Sequence, residues 1–268
     1  MLPFSRLDEL RSARPLIHCI ANLVSANDCA NVLLAAGASP MMAQAPEEME
    51  EITAASAATV LNTGTPDAAR FAVCRLCGGL AAERRQPVVL DPVGVGASAW
   101  RLRETERLLE TVTPAVLRVN FGEAQALLHR AGREQGVDFA GGGAAEDRAA
   151  CARTLARERR TAVLLTGPED VVTDGERLCR VSGGSQWMTR VTGTGCMLSA
   201  LCGAFAAAEP DAFTAAALAA AFWKVCAAQA ERSLGPGQGA GALRSALMDA
   251  ASLLDGGALA ALAQTELS

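Results

Sequence analysis

The residues with the clearest chemical potential lie in one run, Val191-Thr192-Gly193-Thr194-Gly195-Cys196, which passes directly into the apolar stretch Met197-Leu198-Ser199-Ala200-Leu201. A glycine-rich turn that enters a helix leaves backbone N–H groups without partners, and the helix dipole adds partial positive charge at the same end. That arrangement suits a phosphate, or the charge that builds up during phosphoryl transfer. A cysteine at such a helix start is expected to have a lowered pKa and to act as a thiolate base. The competing reading is a plain tight turn with a packed cysteine, and residue type alone leaves both open. The run is not a P-loop: that motif needs a Gly-Lys pair, and the only lysine, Lys224, follows a tryptophan.

Such a turn has to be held by a scaffold, and the chain alternates short β-branched runs with longer Ala- and Leu-rich segments. Strands are expected at Leu16 to Ile20, Thr59 to Asn62, Val88 to Leu90, Val116 to Val119, Ala162 to Thr166 and Val171 to Thr173. Helical patterns lie between most of them, at Asp28 to Ala36, Pro66 to Glu83 and Ala144 to Glu158, and Gly195 to Arg232 reads as two consecutive helices. This order implies an α/β fold with a mainly parallel central sheet and helices on both faces. Several strands stop abruptly in polar or glycine-containing turns: Leu90-Asp91-Pro92, Val119-Asn120 and Leu165-Thr166-Gly167. Ligands of open α/β sheets bind outside the carboxyl ends of the strands, so chemistry is expected at these turns. Gly132 to Glu146 reads as a mobile loop insertion. No repeat or long linker divides the chain, and residues 1–268 are expected to form one domain.

Composition excludes several other classes. Half of the residues are hydrophobic, enough for a substantial core without disulfides. The 24 basic residues are outnumbered by 29 acidic ones, which argues against nucleic acid as a partner. The start, Met1 to Leu10, has no long apolar core and does not resemble a signal peptide. The most membrane-like stretch, Ala212 to Ala230, is mostly alanine and contains Lys224, so a buried helix is expected rather than a membrane span. Nine scattered cysteines point to reduced thiols and a cytoplasmic location. Cys74 and Cys77 form a CxxC without a second pair, and packing is their expected role. His18, at the end of an apolar strand, reads as a hydrogen-bonded core or pocket-edge residue, and His129 as a solvated one.

The run Thr192 to Cys196 (TGTGC) resembles the catalytic turn of the ribokinase-like kinases, in the form carried by the hydroxyethylthiazole kinase family. Relatives acting on sugars, pyridoxal or hydroxymethylpyrimidine place aspartate where Cys196 stands. The resemblance continues in order through HCIANLVSANDCAN (His18 to Asn31), GASPMMA (Gly37 to Ala43), LNTGT (Leu61 to Thr65), VLDPVGVGA (Val89 to Ala97), LRVNFGE (Leu117 to Glu123) and LTGPEDVVTDG (Leu165 to Gly175). Gly235-Pro236-Gly237, before a helix containing Leu247 and Asp249, is also similar. A ribokinase-like three-layer sandwich is implied, with ATP as co-substrate and the hydroxyl of hydroxyethylthiazole as acceptor, in thiamine salvage.

Carried to single residues, the resemblance implies that Cys196 accepts the acceptor's proton. Met42, Asn22 and Gly193 would contact the acceptor, and Arg118, Thr166 and Asn120 the nucleotide, with the planar guanidinium suited to phosphate oxygens. Asp91 and Glu123 are the candidates near Mg²⁺, Glu123 through the NxxE pattern of Asn120 to Glu123; a magnesium ion keeps several waters, so one or two carboxylates suffice. Asp91 reads equally well as a turn cap before Pro92. A homotrimer with substrate bound between subunits is also implied. The family usually has glycine at position 119 and a small residue at 121, so Val119 and Phe121 bear on nucleotide geometry and affinity. The alternatives are a related vitamin kinase, a hydrolase with a cysteine nucleophile, and a thiazole-binding protein with a weakened nucleotide site.

Overall fold

In the computed structural model, residues 1–128 and 145–268 are described. Nine strands among them form one sheet: Leu16–Ile20 (β1), Ser39–Met41 (β2), Ala58–Asn62 (β3), Val88–Asp91 (β4), Val116–Asn120 (β5), Ala162–Thr166 (β6), Asp170–Thr173 (β7), Leu178–Ser182 (β8) and Gln264–Leu267 (β9). Their order is β2-β1-β3-β4-β5-β6-β7-β8-β9. The strands from β2 to β6 pair in parallel, and β7, β8 and β9 complete the sheet antiparallel. The six strands expected from the sequence are present. β2 was not legible because it is a three-residue edge strand containing Pro40, which cannot donate to a ladder.

The helices are Arg6–Ala13 (α1), Ala26–Ala36 (α2), Met49–Ala55 (α3), Ala68–Glu83 (α4), Ala99–Thr111 (α5) and Phe121–Leu128 (α6). After them come Ala145–Arg159 (α7), Thr194–Ala208 (α8), Ala212–Ser233 (α9), Ala240–Leu253 (α10) and Gly256–Leu262 (α11). Alternation along the strands feeds two separate cores. Val60, Val89, Val116 and Leu164 join the core of the layer built from α1, α2 and α8 to α11. Their neighbours Leu61, Leu90, Leu117 and Leu165 join the core beneath α3 to α7. A period of two with both faces apolar is what a sheet covered on both sides requires.

The alanine-rich stretch expected as a buried helix is α9, which packs between α8 and α10 and against β6 to β8. Its small side chains let it lie close to its neighbours, and 72% of its most apolar window is buried. Cys74 and Cys77 lie fully buried on α4, consistent with a packing role. His129 and most of the expected loop insertion fall at positions 129–144, outside the described residues, while Ala145 and Glu146 begin α7.

Candidate active site

The carboxyl edge of the six parallel strands collects the expected site residues in sheet order. Met42 follows β2, Asn22 follows β1, Asp91 ends β4, Asn120 ends β5 with Arg118 two residues before it, and Thr166 ends β6. Against this edge stands the start of α8. Gly193 has φ +83°, and a Cβ there would lie 2.8 Å from the Ser25 Cβ. The first intrahelical bond of α8 runs from the Met197 N–H to the Gly193 carbonyl at 2.8 Å, so the amides of Thr194, Gly195 and Cys196 precede it. Such amides, at the positive end of a 15-residue helix, form an anion-binding edge.

On one side of this edge lies a network of side-chain amides. Asn22 Oδ1 accepts the N–H groups of Val24 and Ser25, both at 3.0 Å, which turns its nitrogen toward its other partners. Asn22 Nδ2 donates to Cys196 Sγ at 3.2 Å and to Asn62 Oδ1 at 3.0 Å. Asn62 Oδ1 also accepts the Gly64 N–H at 2.9 Å, so its own Nδ2 points to Asp91 Oδ2 at 2.9 Å. Backbone donors therefore fix both amide orientations, and every bond in the chain has a defined direction. Ser199 Oγ, one turn into α8, donates to the same Asp91 oxygen at 2.7 Å.

Asp91 is completely buried, and burial pushes its carboxyl up to about 6, with Arg118 opposing the shift and Glu123 adding to it. Its Oδ1 accepts no hydrogen bond. The Arg118 Nη1 lies 3.6 Å from that oxygen, and Nη2 donates to Thr166 Oγ1 at 2.8 Å. The guanidinium also passes over the helix start: a Cβ on Gly195 would come within 2.5 Å of Nη2. Glycine at 195 thus permits the close approach of Arg118 to the anion-binding edge.

The expected lowering of the Cys196 thiol pKa is not found. Burial pushes the thiol up and the Asp91 carboxylate pushes it further, against hydrogen bonds from Ser25, Asn62 and Asn22. A helix start lowers a thiol pKa when the sulfur is solvated or faces cations, whereas Cys196 faces neutral amides and a buried anion.

Asn120 and Glu123 form a reciprocal cap on α6. Glu123 Oε2 accepts the Asn120 N–H at 2.8 Å while Asn120 Oδ1 accepts the Glu123 N–H at 2.9 Å. Glu123 Oε1 accepts the Gly94 N–H at 2.9 Å, so the NxxE pattern ties the β4 and β5 turns together. A magnesium ion that keeps most of its water fits this donor set, because Asp91 Oδ1 is a buried carboxylate oxygen that accepts no hydrogen bond and faces only the Arg118 guanidinium at 3.6 Å.

Beyond Arg118 and Thr166 opens a cleft of about 1090 Å³, also lined by Trp187, Arg190, Trp223 and Lys224. Arg190 stacks over Trp187 at 4.7 Å. Lys224 Nζ donates to the carbonyls of Gly167 and Pro168 at 2.8 and 2.9 Å, and Arg148 Nη2 to those of Thr166 and Glu169 at 3.1 and 3.2 Å. Two cations thus hold the turn that follows β6. Neither family departure enters the cleft: Val119 is fully buried in the core beneath α3 to α7, and the Phe121 ring lies under Arg148 at 5.9 Å. Met42 stands apart from these contacts, half-buried past the edge strand. Asn62 and Ser199 carry no role in the sequence reading. Asn62 had the signal of its neighbours, a polar residue closing an apolar strand; Ser199 sits inside an apolar run and gave none.

The model of the hydroxyethylthiazole kinase family matches residues 7–256. A hydroxyethylthiazole kinase of Listeria monocytogenes is 43% identical over 234 residues, covering 87% of this chain and 86% of the relative. One from Methanoculleus marisnigri is 47% identical over 222 residues, covering 82% and 79%. The solved hydroxyethylthiazole kinase of Pyrococcus horikoshii superposes with a TM-score of 0.89 at 36% identity, covering 99% of this chain and 98% of that one. A pyridoxal kinase of Staphylococcus aureus, solved with AMP-PCP and pyridoxal, shares the fold at a TM-score of 0.62 and 14% identity, over 94% and 98% of the chains. A match this extensive, on a site with this arrangement of amides, arginine and cysteine, makes the chain a member of the hydroxyethylthiazole kinase family.

Proposed function

We propose that this enzyme transfers the γ-phosphate of ATP to the hydroxyl of hydroxyethylthiazole, in thiamine salvage. The observation that carries the reading is the start of α8, where the amides of Thr194 to Cys196 meet the Arg118 guanidinium on one side and the amide-bound Cys196 thiol on the other. A phosphoryl group passing between nucleotide and acceptor needs positioning and charge neutralisation more than covalent chemistry. Arg118, Thr166 and Asn120 bind the nucleotide and turn its terminal phosphate toward the helix start. Asn22, Met42 and Gly193 bind the acceptor with its hydroxyl beside Cys196. Cys196, as thiolate, takes the hydroxyl proton while the amides of α8 hold the charge on the transferring group. Asp91 and Glu123 would hold Mg²⁺, Asp91 through the oxygen that accepts no hydrogen bond and Glu123 behind the two amides it already accepts. When bound, Mg²⁺ supplies further neutralisation of phosphate charge.

The assembly in this reading is a homotrimer whose neighbouring subunit covers the acceptor pocket. Leu23 and Val24, next to Asn22, are 75% and 62% exposed, which supports a partner at that point. The whole chain acts as one kinase domain, and its nine free thiols support a cytoplasmic setting. ADP release measured with hydroxyethylthiazole, hydroxymethylpyrimidine, pyridoxal and ribose tests the assignment. Turnover is expected with the thiazole; good turnover of another alcohol and none of the thiazole would overturn it.

A further inference from the structure

Arg70 is a buried cation that the chemistry above leaves unused. It stands in the first turn of α4, where its N–H donates to the Asp67 cap at 2.7 Å, and it is 9% exposed. Burying a guanidinium is costly unless acceptors meet it. Among the described residues no carboxylate pairs with it, and its acceptors are neutral. Nη1 donates to the Ala21 carbonyl at 2.5 Å and Nη2 to Gln44 Oε1 at 3.1 Å, while Nε has no partner. Gln44 Nε2 closes the triangle by donating to the same Ala21 carbonyl at 3.4 Å. From β1, His18 Nε2 donates to the Ala43 carbonyl at 3.0 Å. A carbonyl only accepts, so this bond fixes the tautomer and leaves Nδ1 bare.

These ties all converge on two short segments. Ala21 precedes Asn22 at the end of β1, and Ala43 and Gln44 follow Met42 at the end of β2. Arg70 arrives from the connection after β3, and β2, β1 and β3 are neighbours in the sheet. β2 has only three residues and includes Pro40, so its ladder constrains the following turn weakly. Side chains must set the position of Met42 relative to Asn22.

We propose that Arg70 is a positioning residue for the acceptor alcohol: by gripping the Ala21 carbonyl and Gln44 together, it fixes the spacing of Asn22 and Met42. This rests on the reading of those two residues as acceptor contacts. Arg70 is chosen for the role over lysine because its fork reaches both acceptors at once.

Steady-state kinetics with both substrates varied, on wild type, Arg70→Met, Arg70→Lys and Gln44→Leu, test it. Loss of a charged hydrogen-bonding anchor should raise the acceptor KM of Arg70→Met roughly ten-fold or more. The KM for ATP should stay at the wild-type value, with kcat changed by less than about three-fold, a split that general destabilisation does not produce. Gln44→Leu should show a smaller rise of the same kind, and Arg70→Lys a partial recovery. If Arg70→Met does not fold, the half-buried Gln44 decides the matter, because its loss opens the same triangle from the other side. An unmoved acceptor KM in the folded variants, or a parallel rise in the ATP KM, would overturn the role of Arg70 alone. Absence of thiazole turnover by the wild-type enzyme would instead remove the acceptor reading, and the proposal with it.

Discussion

On the half of the site proposed to take the acceptor, between β1 and β4, two asparagine amides are oriented by backbone N–H groups, Asn22 donating to both Cys196 and Asn62 and Asn62 donating to Asp91. On the half proposed to take the nucleotide, beyond β5, a cleft of about 1090 Å³ stands open, lined by cations held by neighbouring groups. The first half is knit by neutral amides with Asp91 and Arg70 buried in it, and the second is open and lined by Arg118, Arg190 and Lys224 together with Asp170 and Glu231. Three cations in such a cleft favour a polyphosphate, whereas a small uncharged heterocycle has to be selected by shape and by oriented hydrogen bonds. The difference between the halves is what the proposed placement of the two substrates calls for. They meet at Gly193 to Cys196, where each glycine lets a different half approach.

The largest break in this comparison should come from Cys196. Replacing it by alanine should lower kcat roughly 1,000- to 10,000-fold, the upper range for loss of a general base, and leave the acceptor KM nearly unchanged. Unchanged kcat would remove Cys196 from the base role. In wild type, burial and Asp91 hold the thiol above its ordinary value, so the thiolate is the minor form near neutrality. A base works only when deprotonated, and kcat should therefore climb with pH up to and past the ordinary thiol range. A profile flat across that range in stopped assays would contradict it. Next, Arg118→Met should lower kcat/KM for ATP roughly 100- to 1,000-fold, the usual cost of losing one donor to developing charge, with the acceptor Kd preserved. The smallest effect belongs to Phe121→Ala: its ring lies under Arg148 and outside the cleft, so the ATP KM should stay within about two-fold of wild type.

Much of this was readable before any coordinates, for physical reasons that differ by region. The parallel strands are apolar on both faces and end in polar turns, so β1 to β6, apart from the proline-containing edge strand β2, and the turn residues Asp91, Asn120 and Thr166 announced themselves, whereas Arg118 was reached only through the family resemblance. The alanine-rich stretch could be read as core because a lysine sat inside it. β8 and β9 escaped notice because short antiparallel strands such as Gln264–Leu267 carry no crossover helix to mark them. The directions of the Asn22 and Asn62 amides depend on which backbone N–H groups reach them, and spacing in sequence carries no such information. The Cys196 thiol moved opposite to expectation because a helix start was visible in the residues, while the buried Asp91 beside it was not. Val119 and Phe121 looked troublesome as letters; strand alternation sends one into the far core, and an arginine covers the other.

The most direct test of a site made of two separable halves is calorimetric titration of Gly193→Ala and Gly195→Ala, each with hydroxyethylthiazole and with ATP in the presence of Mg²⁺. A Cβ at 193 presses on Ser25, beside Asn22, and at 195 on the Arg118 guanidinium. Gly193→Ala should lose acceptor binding and keep ATP binding, and Gly195→Ala should do the reverse. Equal loss of both ligands in both variants would contradict the division.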